Sequence, residues 1–220
     1  MTIEQALSVE RLERYNRWAG GDQEQAFLLY TLNVQVSEAL YIPLHTVEIT
    51  LRNAIHDALT TAYGSQWYAN AKVPIDEYQR QKIEETIRKR RKTPTDGQVV
   101  SDLMFGFWSA MFGRDKHALW GKCFRPMFDA GFPLQRKQVA SRLDRIRLLR
   151  NRVAHHEPII QLDLQGIHSE IREIIGWLST DALQWNDQRS RFFTVHPGHV
   201  IIEGGLIHPV MKPTGIPPVK

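Results

Sequence analysis

Arg150-Asn151-Arg152-Val153-Ala154-His155-His156-Glu157-Pro158 closes the most regular amphipathic run in the chain. Upstream and within it, Val139, Leu143, Ile146, Leu149 and Val153 recur at spacings of three and four, the signature of one buried helical face. The spacing predicts a helix over about 134–156. Pro158 ends it, because proline disfavours helical geometry in the residue before it. On a helix turning about 100° per residue, Arg150 lies within about 40° of Ile146 and flanks the core stripe. His155 lies about 180° away and shares a second face with Asp144, Leu148 and Asn151. A leucine among polar groups on an outer face suggests contact with another surface, such as a second subunit.

Working outward, Pro43 suits the first turn of another helix. From there Leu44, Val47, Leu51, Ile55, Ala58, Leu59 and Ala62 mark one buried face, and Gly64 ends the run. Glu48, Arg52 and His56 follow one another four apart, along one ridge beside that face. Further helices are expected over 4–18, over 23–41 with Asp22 as N-cap, and over 76–92 from near Asp76. Residues 93–97 read as a loop. Val99 to Phe112 reads as one mostly buried helix, since aromatics this dense are more often core than binding platform. Helices over 164–179 and 180–191 follow. After Phe193 the composition turns to proline and glycine. With no internal repeat and no βαβ alternation, the expected fold is all-α: a helical-bundle domain over 1–192, then an irregular tail over 193–220 with room for one short hairpin.

With 220 residues, 42% of them apolar, the chain can bury one sizeable core. No stretch approaches the roughly 18 uninterrupted apolar residues of a membrane span, and the polar start carries no secretory signal. No membrane partner is expected. Cys123 is the only cysteine, which excludes an internal disulfide and a cysteine-based zinc site and fits a cytoplasmic protein. The net charge is +4, with arginine and lysine concentrated at 88–92 and 142–152. Arg88, Lys89, Arg90, Arg91, Lys92 and Arg152 are therefore candidates for contacting RNA phosphates. Solvated helix faces explain the same clusters, and cations at a helix C-terminus also interact well with its dipole.

The chemistry of 150–158 is specific in kind. Histidine passes protons near neutral pH, and arginine grips phosphate through a planar fork and stabilises charge growing on it. Together they suit RNA cleavage by attack of a 2′-hydroxyl on the neighbouring phosphate, which needs no metal or cofactor. Asn151 and His155, four apart, can meet, so Asn151 can fix the imidazole's orientation. Arg150 and His155 are about 140° apart on a regular helix. Either the last turn unwinds toward Pro158, or a second copy of the chain completes the site. The bland alternative is a helix end whose histidines only meet the dipole. The adjacent His155, His156 and Glu157 match no metal-ligand spacing.

Arg150-Asn151-x-x-x-His155 resembles the RNxxxH form of the Rx4–6H motif of HEPN domains. Leu149 to Ile159 as a whole is similar to the Abi-like (abortive infection) branch of that superfamily. Val47-Glu48-Ile49-Thr50-Leu51-Arg52-Asn53-Ala54-Ile55-His56 resembles that branch's early E-x-x-x-R-N helix. Met104-Phe105-Gly106-Phe107-Trp108, followed by Leu119-Trp120, resembles its FGFW segment. The resemblance spans about residues 10–180. It implies an all-helical domain that homodimerises and acts as a metal-independent endoribonuclease in antiphage defence or as a toxin, with an antitoxin protein or RNA as a further partner. Arg150 and His155 would be the catalytic pair and Asn151 the positioning residue. His156, Glu48, Arg52 and His56 would be accessory, the last three lining the cleft or, alternatively, pairing Glu48 with Arg52 to hold helices together. Some HEPN domains only bind RNA, nucleotides or proteins, so a non-catalytic binding module is the second expectation.

Overall fold

The computed structural model describes residues 3–90, 93–196, 198, 200–203 and 206–209, the last two segments as backbone only. The chain is helical almost throughout, and no described helix is long and apolar enough to cross a membrane. It divides into two compact units. One holds residues 1–42, 149–166 and 189–220, and the other residues 43–148 and 167–188.

The first unit begins with α1 (Ile3–Leu7) and α2 (Val9–Trp18). Sequence periodicity alone suggests one continuous helix here. Ser8 divides it by taking a positive φ of 74°. Asp22 caps α3 (Gln23–Ala39) as expected, its carboxylate accepting the Gln25 N–H at 3.0 Å. Tyr15, Ala19, Ala26 and Leu29 pack with Ile160 into a small core, with Trp18, Tyr30 and Leu32 at its edge. Tyr15 meets Trp18 and Tyr30 edge-on at 5.5 and 5.4 Å, the geometry that ring quadrupoles favour. Burial first, and the neighbouring Tyr30 second, push its phenol well above the usual range.

The second unit is built on α4 (Tyr41–Tyr63), which starts just ahead of the boundary and ends where Gly64 adopts a φ of +93°. Leu44, Val47, Leu51, Ile55 and Leu59 form its buried face. Trp67, in a 3-10 turn, meets Trp108 at 6.1 Å in the same core. Asp76 starts α5 (Glu77–Arg88) with a complete capping box. A second such box, Thr95 with Gln98, starts α6 (Asp96–Asp102) inside the stretch expected to be loop.

The expected single helix over 99–112 is two. Leu103 and Met104 are extended between α6 and α7 (Phe105–Ala110), and the buried Trp108 indole donates to the Leu103 carbonyl at 3.0 Å. A 3-10 turn, the short α8 (His117–Leu119), a π turn over Trp120–Phe124 and another 3-10 turn come next. Lys116 is buried there, paired with Asp115 and, at 2.9 Å, with Asp76.

Helix α9 (Arg136–Ala154) buries Val139, Leu143, Ile146 and Leu149, four of the five residues of the expected stripe, while Val153 is half-buried. Helix α10 (Leu164–Leu178) buries Ile171, Ile174 and Ile175, and α11 (Thr180–Arg189) comes after it. In the first unit, α12 (Phe192–Val195) precedes an antiparallel hairpin of β1 (Val200–Glu203) and β2 (Leu206–Pro209), with Val200 opposite Pro209 and Glu203 opposite Leu206.

Candidate functional site: the C-terminal end of α9

Five of the candidate residues, Arg150, Asn151, Arg152, His155 and His156, fall in the first unit, at the end of α9. The last turn does not unwind. The His155 N–H still donates to the Asn151 carbonyl at 2.9 Å, as in a continuing helix. The chain then reverses. His156 takes a φ of 56°, its N–H donates to the Val153 carbonyl at 3.1 Å, and the Glu157 N–H donates to the Arg152 carbonyl at 2.8 Å. These two bonds make a Schellman cap with His155 at the C-cap and His156 at the left-handed position. Glycine usually fills that position. Histidine is among the few other residues enriched there.

Two residues outside the motif, neither singled out by the sequence pattern, anchor the chain beyond the cap. Asn33 is buried in α3. Its Oδ1 accepts the Ile159 N–H at 2.7 Å and the Ile160 N–H at 3.4 Å, and its Nδ2 donates to the Glu157 carbonyl at 3.4 Å. Arg11 Nη1 donates to the His156 carbonyl at 2.7 Å. Arg152, a candidate for RNA contact, donates to the Pro158 carbonyl at 3.3 Å and lies 3.9 Å from the Glu157 carboxylate. The signal for Asn33 was legible in principle, as an amide on the stripe formed by Ala26, Leu29 and Val36.

The cap presents Asn151, His155 and His156 to solvent, while Arg150 is half-buried. Asp144 and Leu148, upstream on the same face of α9 as Asn151 and His155, are exposed too, Leu148 by 55%. Among the described residues, the Asn151 and His155 side chains make no hydrogen bond to each other. Their link is through the backbone. With the turn regular, Arg150 and His155 stay about 140° apart.

Glu48, Arg52 and His56 lie in the second unit, on α4, and all three are half-buried. The alternative Glu48–Arg52 ion pair does not form among the described residues. Arg52 Nε donates to Asn53 Oδ1 at 3.4 Å. His56 Nδ1 accepts the indole N–H of the buried Trp67 at 3.0 Å. Of the basic run, Arg88 and Lys89 are exposed, Arg90 grips Asp102 through two parallel bonds of 2.8 and 2.7 Å, and Arg91 and Lys92 lie outside the described residues.

A family model described as Swt1-like HEPN matches residues 43–179. The match takes in α4, the Met104–Trp108 segment and the whole motif at the end of α9, and leaves out α2 and α3 with Arg11 and Asn33. It supports the HEPN superfamily, not the Abi-like branch in particular. No curated protein and no solved structure matches.

Proposed function

The chain belongs to the Swt1-like HEPN family, and on that premise we propose that it is a metal-independent endoribonuclease of antiphage abortive infection, or a toxin. The observation that carries this reading is the solvent-facing cap of α9, where Asn151, His155 and His156 are presented by an ordered chain reversal. An imidazole so exposed can reach a 2′-hydroxyl or a leaving 5′-oxygen and move its proton. Arg150 would neutralise charge growing on the phosphate, through the planar fork that suits it. The 2′-oxygen attacks phosphorus, the bond to the 5′-oxygen breaks, and the products are a 2′,3′-cyclic phosphate and a 5′-hydroxyl.

Since Arg150 and His155 point about 140° apart on a regular turn, the working cleft combines the α9 ends of two chains. Exposed Leu148 supports a face that meets a partner. The test is cleavage of end-labelled RNA. His155→Ala and Arg150→Ala should each lower the rate by at least about 100-fold, the scale of a lost proton-transfer or oxyanion-stabilising group, with the chain still folded at the assay temperature and chelators without effect. Wild-type rates in both variants overturn the assignment, and RNA binding without any cleavage by the wild type establishes the binding-module reading.

A further inference from the structure

Several cations of the basic stretches that stand out in the sequence are paired in the fold. In the second unit Arg142 pairs with Glu173, Arg145 with Glu170, Arg147 with Asp144 and Arg90 with Asp102. A further group of cations without a protein counter-ion comes together from positions scattered in the sequence. A cleft of about 430 Å3 in the same unit is lined by His117, Trp120, Arg125, Pro133, Leu134, Gln135, Arg136 and Lys137. Its lining has four basic side chains and no acidic one. Among the described residues, the side chains of Arg125, Lys137 and His117 have no hydrogen-bond or ion-pair partner. Arg136 spends one guanidinium nitrogen on the Phe112 carbonyl, while its buried Nε is unpartnered.

The backbone is bent to make this wall. In an α-helix, residues five apart lie about 140° from each other. Over Trp120–Phe124 the chain is instead a π turn, with the Arg125 N–H donating to the Trp120 carbonyl. Closing the turn over five residues brings Trp120 and Arg125 to one side, and both line the cleft. Trp120 is held at its back by Phe112 and Phe128, at 6.3 and 5.9 Å, and is only 7% exposed. It is therefore a fixed apolar wall, continued by Leu134 and Pro133. An apolar wall facing unpaired guanidinium and ammonium groups suits a ligand with a flat apolar part and a phosphate. The volume lies within the range of small-ligand pockets.

We propose that the cleft between the Trp120 π turn and the start of α9 binds a nucleotide phosphate, free or within single-stranded RNA, with Arg125, Arg136, Lys137 and His117 on the phosphate and the Trp120–Leu134 wall on the base or sugar. The site is distinct in its residues from the α9 cap and does not depend on cleavage. Calorimetric titration of the full chain tests it, with adenosine monophosphate, adenosine and a single-stranded 2′-O-methyl oligoribonucleotide that cannot be cut by 2′-hydroxyl attack. The variant is Arg125→Gln/Lys137→Gln, two exposed side chains whose loss leaves no buried group unpaired, with circular dichroism as the folding control. At least one phosphate-bearing probe should bind and adenosine should not, and the double variant should weaken that binding at least tenfold. If the oligonucleotide is the ligand, its salt slope should also fall by about 1.4, the change expected when two phosphates of a single strand are no longer neutralised. Equal affinity for both probes identifies a free nucleotide as sufficient, and binding of the oligonucleotide alone identifies RNA. Unchanged affinity in the double variant, or no binding of either phosphate probe at millimolar concentration, overturns the proposal. Neither result bears on His155, whose variants are read by cleavage.

Discussion

Asn33 and Ile159 stand 126 positions apart in the chain, yet the Asn33 amide oxygen accepts the Ile159 N–H at 2.7 Å in a buried setting. This bond, with those to Ile160 and Glu157, makes α3 the support on which the end of α9 rests. The exposed histidines owe their position to a buried amide that makes no chemistry of its own.

Asn33→Leu should therefore cost about 3 kcal/mol, because it orphans buried N–H groups that nothing else can satisfy. For a chain of this length that is a fall of about 10 °C in Tm. Thermal unfolding checks the stability, and RNA cleavage below the transition checks whether His155 has moved. A loss within about 0.5 kcal/mol would show that the Asn33 bonds do not hold the cap.

His156→Gly should leave the fold unharmed or stabilise it by up to about 1 kcal/mol, since glycine takes a φ of 56° without the cost of a Cβ. His156→Val should destabilise it. RNA cleavage by His156→Gly should stay within about threefold of wild type, in contrast to His155→Ala. A loss as deep as that of His155→Ala would move His156 from shaping the turn to taking part in the chemistry.

Leu148→Asp should separate a dimer formed through the outer face of α9. Leu148 is more than half exposed, so the substitution costs the isolated chain little, and burying a carboxylate in an apolar contact is strongly disfavoured. Light scattering should show the wild type as a dimer at micromolar concentration and the variant as a monomer, with cleavage lost in parallel. A wild-type monomer that cuts RNA at full rate would refute the composite cleft.

Stability against pH should fall on both sides for separable reasons. Burial first, then the hydrogen bond to Asp96, push Tyr68 from 10.0 up to about 12. A proton held more tightly in the folded state stabilises it fully below pH 10, and that contribution is lost as pH rises toward 12. Lys116 loses stability in the same alkaline direction. Burial works against its charge, but the bonds to Asp115 and Asp76 outweigh it and raise its pKa. Asp76 has the opposite sign. Burial alone would raise it, but the Lys116 and Gln79 bonds bring it below 3.8, so its contribution is present above that value and lost in acid. Lys116→Met should flatten the acid limb of Tm against pH while costing less at neutral pH than Asp76→Ala, which leaves the buried ammonium with Asp115 alone and removes the cap of α5. An acid limb unchanged in Lys116→Met would exclude the pair as its source.

The α9 stripe, the Asp22 cap, the start of a helix near Asp76 and the outer face at Leu148 and His155 were all legible, because each depends on residue type and spacing within one helix. The form of the helix end was not. A Schellman cap is read from a glycine, and here a histidine stands in its place. The break at Leu103–Met104 was hidden in apolar residues that fit either one helix or two, and it answers to the Trp108 indole's need for an acceptor. The pairing of basic residues was hidden for a related reason: Glu170, Glu173 and Asp102, which bind Arg145, Arg142 and Arg90, are 25, 31 and 12 residues away from them. The Trp120–Arg125 alignment arises from a π turn, which leaves no periodic trace, and Asn33 shows in the sequence only as an amide on an apolar stripe, its partners lying 124, 126 and 127 positions away.

The bond from Trp67 to His56 limits what that histidine can offer. With the indole hydrogen aimed at Nδ1, that nitrogen must keep its lone pair, and the ring's own hydrogen is left on Nε2. His56 is thereby fixed as a one-handed donor. Anything it meets at its outer nitrogen has to bring a lone pair, as a phosphate oxygen, a carboxylate or a water does, and a group that must itself give up a proton finds no taker there.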